Sequence, residues 1–214
     1  MINGQIFKSS NYSIHELNTG TINIFELSKF IVIENYNHHH ATHKMDNIEE
    51  EIKAILMEEV LYAKHSKYYI AYDSSIKMIG TIRIMKWDKQ CILPIQEKFH
   101  INPLTDINCL CNNSTIWHIG RFAISSSKQI QGITLFKQLL VYALTPLYEN
   151  IADIIIAECD SKLVRVLSAL GIEINTLGKS HHYLGSETVP LYLTHNGIVN
   201  FYEKHKELVK STKV

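Results

Sequence analysis

The chemical content of the chain concentrates in Trp117-His118-Ile119-Gly120-Arg121-Phe122-Ala123-Ile124 and in Gln129-Ile130-Gln131-Gly132-Ile133-Thr134 just after it. A strand-like run passes into a polar loop and then into a helix that begins at a glycine. Such a helix end presents N–H groups with no intrahelical partner and a partial positive charge, which suits an anion, typically phosphate. Glycine there lets the backbone approach the ligand closely. The imidazole of His118, with an ordinary pKa of ~6.5, can take a proton at neutral pH. The guanidiniums of Arg121 and of Arg83 can grip a carboxylate through paired hydrogen bonds. Arg121 can equally pair with a structural carboxylate such as Glu158.

Other reactive residues are less organised. His38, His39, His40 and His43 are potential metal ligands, but no spaced cysteine or acidic residue completes a set, so they read as a solvated loop;. Cys109-x-Cys111 lacks zinc-site spacing and a second pair, so no metal is expected;. Cys159, beside Asp160, has no histidine near it in sequence and makes a poor case for a nucleophile.

The 214 residues contain 21 Lys+Arg and 21 Asp+Glu, with 46% hydrophobic and 20% charged residues. That balance fits a globular chain with a real core and argues against disorder. Zero formal charge argues against a general nucleic-acid binder, which needs a cationic excess. The first twenty residues have neither a basic region nor a continuous apolar one, and no apolar run is long enough to span a bilayer;. Four scattered cysteines make no disulfide framework;. A reduced, cytoplasmic protein is expected.

The elements that must position these residues follow from periodicity. Residues 22–35 and 47–65 read as helices, the second with Ile48, Ile52, Ile55, Leu56 and Glu59-Val60 in a mixed helical period. Tyr68–Tyr72 and Met78–Met85 form a hairpin around Asp73-Ser74-Ser75;. Trp87–Ser114 has no convincing period. A strand over 115–124, a helix from Gly132 to Leu147, a strand over 151–159 and a helix over 161–169, closed by Gly171, come next;. Strands near 172–177 and 189–193 and a helix over 198–208 complete the chain. This is an α/β chain in a single domain. Residues 1–65 would be N-terminal helices, 66–193 the core sheet with its helix, and 194–214 a C-terminal helix.

Over residues 66–193 the element order resembles the GNAT acyltransferase superfamily. Gln129 and Gly132 match that family's Q/R-x-x-G-x-G/A donor loop, with Thr134 where Gly or Ala is usual. Within the superfamily the chain is similar to autoinducer (N-acyl-homoserine lactone) synthases and N-acyl amino acid synthases. His118-Ile119-Gly120-Arg121-Phe122-Ala123-Ile124 aligns with their E-I-S-R-F-A-V pattern, His118 replacing Glu. Gly80-Thr81-Ile82-Arg83-Ile84 matches G-x-x-R-L, and Val189-Pro190-Leu191 their closing strand.

The resemblance implies an α/β/α sandwich whose mixed, mostly antiparallel sheet has splayed central strands. It implies a phosphopantetheine thioester, on acyl carrier protein or coenzyme A, as co-substrate, with no permanently bound cofactor. The backbone of Phe122, Ala123 and Ile124 would receive the thioester arm and its carbonyl. Gln129, Gln131, Gly132, Ile133 and Thr134 would hold the phosphate. His118 would act as the base, and Arg83 and Arg121 would bind the acceptor carboxylate. Lys128, Lys162 and Arg165 are candidates for a basic patch facing an acidic carrier protein. One of Tyr68, Tyr69 and Tyr72, or the 87–114 segment, would wall an acyl tunnel. The function implied is transfer of a fatty acyl group to the amine of a small amino-acid-like acceptor. The rivals are an acetyl-CoA-dependent N-acetyltransferase and a non-catalytic thioester-binding module.

Overall fold

Alternating apolar and polar residues produce the expected hairpin. β3 (Ser66–Asp73) and β4 (Met78–Lys86) pair antiparallel, with Tyr68 opposite Arg83 and Ile70 opposite Thr81. Asp73 shapes the turn by accepting from the backbone N–H groups of Ser75 and Lys77, each at 2.9 Å;. These details come from a computed structural model that describes residues 4–39, 48–126, 132–183 and 186–210.

The chain does not open with a helix, as the 1–65 assignment implies. It opens with β1 (Gln5–Lys8) and β2 (Tyr12–Leu17), an antiparallel pair whose second strand adds to β3. The Ser9 hydroxyl closes their turn by accepting from the N–H groups of Asn11 and Tyr12. β1 is only four residues long, with exposed ends, so it leaves no period to read;.

Helices α1 (Ile24–His39) and α2 (Ile48–Tyr62) follow, the latter running into a 3₁₀ turn over Ala63–His65. α1 extends into the stretch read as a loop. The Tyr36 hydroxyl donates to Glu51 of α2 at 2.8 Å, which ties down that last turn. His40 and His43 lie outside the described residues.

The chain divides into two compact units. The first holds Met1–Met85, Arg121–Ala143 and Glu207–Val214. Its strands run in the order β1-β2-β3-β4. One face is covered by α1 and α2 through Leu17, Leu27, Ile31, Val32, Ile52, Ile55, Tyr68, Ile70 and Ala123. The other meets the start of α5 (Gly132–Glu149). There Tyr69 stacks on Tyr142 at 5.2 Å. A Cβ on Gly80 would sit 3.1 Å from Leu139 and 3.2 Å from Leu135, so the glycine permits this close helix approach;.

The second unit holds Lys86–Gly120 and Leu144–Lys206. β5 (Ile116–Ile124) begins here and crosses into the first unit at Arg121. β5 pairs parallel with β6 (Ile154–Asp160), the geometry a strand-helix-strand crossover requires;. β6 pairs antiparallel with β9 (Ser186–Thr194), which also carries β7 (Asn175–Thr176) and β8 (His181–Tyr183). α6 (Ser161–Ala169) ends at Gly171 as expected, and α7 (His195–His205) closes the unit. Two short helices occupy the stretch without a period, α3 (Pro94–Phe99) and α4 (Pro103–Asp106). Each starts on a proline, whose missing N–H costs nothing at that position. No described helix is long and apolar enough to cross a membrane.

Candidate active site

In the second unit, β5 is anchored by Asp153. Its two carboxylate oxygens accept from the Thr115 backbone N–H at 3.0 Å and the Trp117 indole N–H at 2.9 Å. His118 therefore enters the sheet at a fixed height. It is 2% exposed, and its Nε2 lies 2.9 Å from Oε2 of Glu158, two residues beyond its register partner Ile156 on β6. The carboxylate sequence reasoning offered to Arg121 is thus the partner of His118.

In the first unit, Arg83 and Arg121 converge on one carboxylate. Glu59, fully buried on α2, receives Arg83 Nη1 at 2.8 Å and Arg121 Nε at 2.6 Å on the same oxygen, Oε1. Tyr68 donates its hydroxyl to the other oxygen. Arg121 also pairs with Glu58 through Nη2. The Arg83 guanidinium lies 5.0 Å from the centroid of the Tyr62 ring. Arg83 is 1% exposed. Each guanidinium already holds a carboxylate of this chain.

The ionisation of the cluster follows from this geometry. Burial alone raises the Glu59 carboxyl, but Arg83 and Arg121 outweigh it and hold it below the ordinary value. Burial opposes the charge on Arg121, and Glu59 and Glu58 more than restore it, so its pKa is raised. Burial, then Glu59, raises the Tyr68 hydroxyl, which keeps the proton it donates. A depressed carboxyl contributes stability that is present above its unfolded pKa and is lost as pH falls through the folded one. Unfolding midpoints are therefore expected to drop on acidification below about pH 4.3. Glu59→Gln should flatten that part of the slope in urea titrations. The same acid slope in the variant would contradict this assignment.

Past Arg121 the strand reaches Phe122, Ala123 and Ile124, the residues expected to receive a donor. Ser125 N–H donates to the Ile79 carbonyl at 2.9 Å, and His38 Nε2 lies 2.8 Å from the Ile124 carbonyl oxygen. Phe122 packs edge-on against Phe136 of α5, with centroids 4.8 Å apart. Ala123 is buried in the α1/α2 face. Ile124, Ser125 and Gly132 line a pocket of about 300 Å³ together with Tyr12, Asp73 and Lys77, among others. The pocket lies at the N-terminus of α5, whose first residues are Gly132, Ile133 and Thr134. A Cβ on Gly132 would meet nothing within 4 Å. Gln129 and Gln131 lie outside the described residues, as does Lys128. Lys162 and Arg165 are exposed on α6 of the second unit. Among the described residues of the first unit, Lys77 is a cation on the pocket lining.

Glu59 and Glu58 are the site residues that sequence reasoning missed. Ile52, Ile55, Glu59 and Tyr62 are the buried residues of α2, at a spacing of three, four and three. An acidic residue on such an apolar stripe requires a buried cationic partner. Elsewhere, Cys109 and Cys111 are exposed and free. Cys159 is buried, and that burial, with Glu158 and Asp160 beside it, pushes its thiol up to about 12. It is no thiolate at neutral pH.

No protein-family model matches the sequence, and no curated protein does. Solved structures match in shape. BjaI, a CoA-dependent acyl-homoserine lactone synthase solved with MTA, gives a TM-score of 0.61 at 12% identity, covering 95% of this chain and 92% of that one. FeeM, an N-acyl amino acid synthase from uncultured soil microbes, gives 0.59 at 15% identity, covering 92% and 97%. LasI, an AHL synthase, gives 0.57 at 14% identity, covering 91% and 96%. The chain has the GNAT fold. The fold class expected from the sequence, a mixed and mostly antiparallel α/β sheet, is the one observed. On this GNAT fold, β5 is the strand that carries His118, Arg121 and Phe122–Ile124, and α5 is the helix that starts at Gly132.

Proposed function

We propose that the chain is an N-acyltransferase. It would move an acyl group, a fatty acyl chain in the first instance, from a phosphopantetheine thioester to the amine of a small amino-acid-like acceptor in the cytoplasm. The donor would be carried by acyl carrier protein or coenzyme A. The observation that carries this reading is the pocket lined by the end of β5 and the first residue of α5. Unpaired N–H groups and a partial positive charge at such a helix start favour a phosphate. Lys77, on the same pocket, adds a positive charge.

In this reading the backbone of Phe122–Ile124 receives the thioester, and a strand N–H meets the developing oxyanion. The acceptor nitrogen attacks the carbonyl carbon, the C–N bond forms, and the C–S bond breaks. The amine proton passes to His118 and then to the departing thiolate. Glu158 accepts a hydrogen bond from His118 Nε2, which in the neutral ring leaves Nδ1 as the basic nitrogen;.

Gly132→Phe tests the donor site. Open space at its Cβ means that the variant should fold, with a melting temperature within about 2 °C of the parent;. Its affinity for an acyl-CoA analogue with a non-cleavable thioether, read by calorimetry, should fall by about tenfold or more. Equal affinity would place the donor elsewhere. Turnover with acetyl, medium-chain and long-chain thioesters on both carriers separates the fatty acyl reading from acetyl transfer. Tight analogue binding with no turnover on any donor would support a binding module instead.

A further inference from the structure

We infer that Glu59 is a positioning residue: through Arg121 it holds a left-handed turn in β5 and thereby directs the Phe122–Ile124 backbone. Its bearing on catalysis rests on the function proposed above, whereas the geometry stands without it. Arg121 has φ of 56°, a region that L side chains rarely adopt;. Something must hold it there, and the contacts show what. Its Nε donates to Glu59 at 2.6 Å and its Nη2 pairs with Glu58, the adjacent residue of α2. Glu59 is itself immobilised by Arg83 of β4 and Tyr68 of β3. One buried carboxylate thus ties α2, β3 and β4 to the turn of β5.

The far end of the same segment is clamped in a similar way. His38 of α1 contacts the Ile124 carbonyl at 2.8 Å. Glu34 of α1 accepts from the Ser126 N–H at 2.8 Å and from the Ser125 hydroxyl at 3.3 Å. Polar side chains of α1 and α2 therefore grip residues 121–126 at both ends, and the backbone between them is the stretch assigned to the thioester. An ion pair serving stability alone has no need of a positive φ. A device that turns the strand at a chosen residue does.

Amide hydrogen exchange on the full chain, without ligand, tests this. In Glu59→Gln the amides of 121–126 should exchange about tenfold faster or more, while β6 keeps its protection. A second pair of variants separates turn-holding from simple stabilisation. Glycine adopts a positive φ without strain and has no side chain for Glu59 to hold, so in an Arg121→Gly background the further change Glu59→Gln should alter exchange at 121–126 by less than about twofold. Unchanged exchange at 121–126 in Glu59→Gln, or the same acceleration by Glu59→Gln when Arg121 is already glycine, would overturn the inference. In a chain that transfers acyl groups, Glu59→Gln should also lower kcat more than it raises the donor KM. A wild-type chain that turns over no thioester would sink the proposed function and leave the exchange result to decide this one.

Discussion

His118→Ala is expected to lower amine-dependent acyl transfer by about 10²–10⁴-fold, the range typical of a lost general base. Thioester affinity should stay within ~2-fold, because the donor contacts assigned above lie on other residues. Two observations make the expectation specific. The ring is almost fully buried, so it is no incidental surface histidine. A carboxylate 2.9 Å from Nε2 orients the ring and, in the mechanism proposed above, would offset the charge the ring gains as a base;. Glu158→Gln should then reproduce part of the loss, since an amide can orient the ring but cannot offset its positive charge. Alanine also removes a hydrogen-bond partner of the partly buried Glu158 carboxylate, a defect of about 1 kcal/mol;. Melting temperatures and donor binding must accompany the kinetics, and His118→Gln gives a better-filled control. Unchanged turnover in folded His118→Ala would remove the residue from the mechanism.

Glu59→Ala is expected to cause the largest loss of stability of any single change considered, about 3–5 kcal/mol, because it breaks a buried ion pair from one side. Arg83 and Arg121 share Oε1 of Glu59, and Tyr68 donates to Oε2, so one deletion disrupts three interactions. Folded domains are typically stable by only about 5–15 kcal/mol, so the variant would sit near its unfolding threshold. Glu59→Gln keeps the shape and an acceptor oxygen and should lose less. Replacing Glu59 and Arg83 together with apolar residues (Glu59→Leu with Arg83→Met), which leaves Arg121 on Glu58, should recover part of the loss, since well-packed apolar groups often match a buried ion pair;. Denaturant unfolding by circular dichroism reads all three. A midpoint for Glu59→Ala equal to that of the parent would show that the cluster carries no stability.

The elements with strong periods are legible in the sequence. β3 and β4 alternate, β6 opens on the apolar run Ile154–Ala157, and α6 is closed by Gly171. The strand-loop-helix order around Arg121 and Gly132 is equally plain, and it led to the pocket end of β5. Features that depend on distant partners are not legible. β1 is too short to show a period and exists because β2 pairs with it. α3 and α4 are announced only by Pro94 and Pro103.

For the site, sequence identified the cations but not what they hold. Arg83 and Arg121 read as grips for a substrate carboxylate because their real counter-ions, Glu58 and Glu59, lie on α2, more than twenty residues before Arg83 and more than sixty before Arg121. Glu59 on the stripe of Ile52, Ile55 and Tyr62 was the available clue. The left-handed turn at Arg121 had none, since nothing local to an arginine calls for a positive φ. A neutral total charge likewise hid a first unit with a buried charge cluster and a pocket lined by both Lys77 and Asp73.

The most direct measurement of the central claim is thiol release from acyl thioesters, on coenzyme A and on acyl carrier protein, with and without amino-acid acceptors, followed by mass spectrometry of the product. Acyl transfer predicts release that depends on the acceptor, an N-acylated product, and loss of both in His118→Ala. Release that is the same without acceptor, or none with any donor while the chain still binds the thioether analogue, would contradict it.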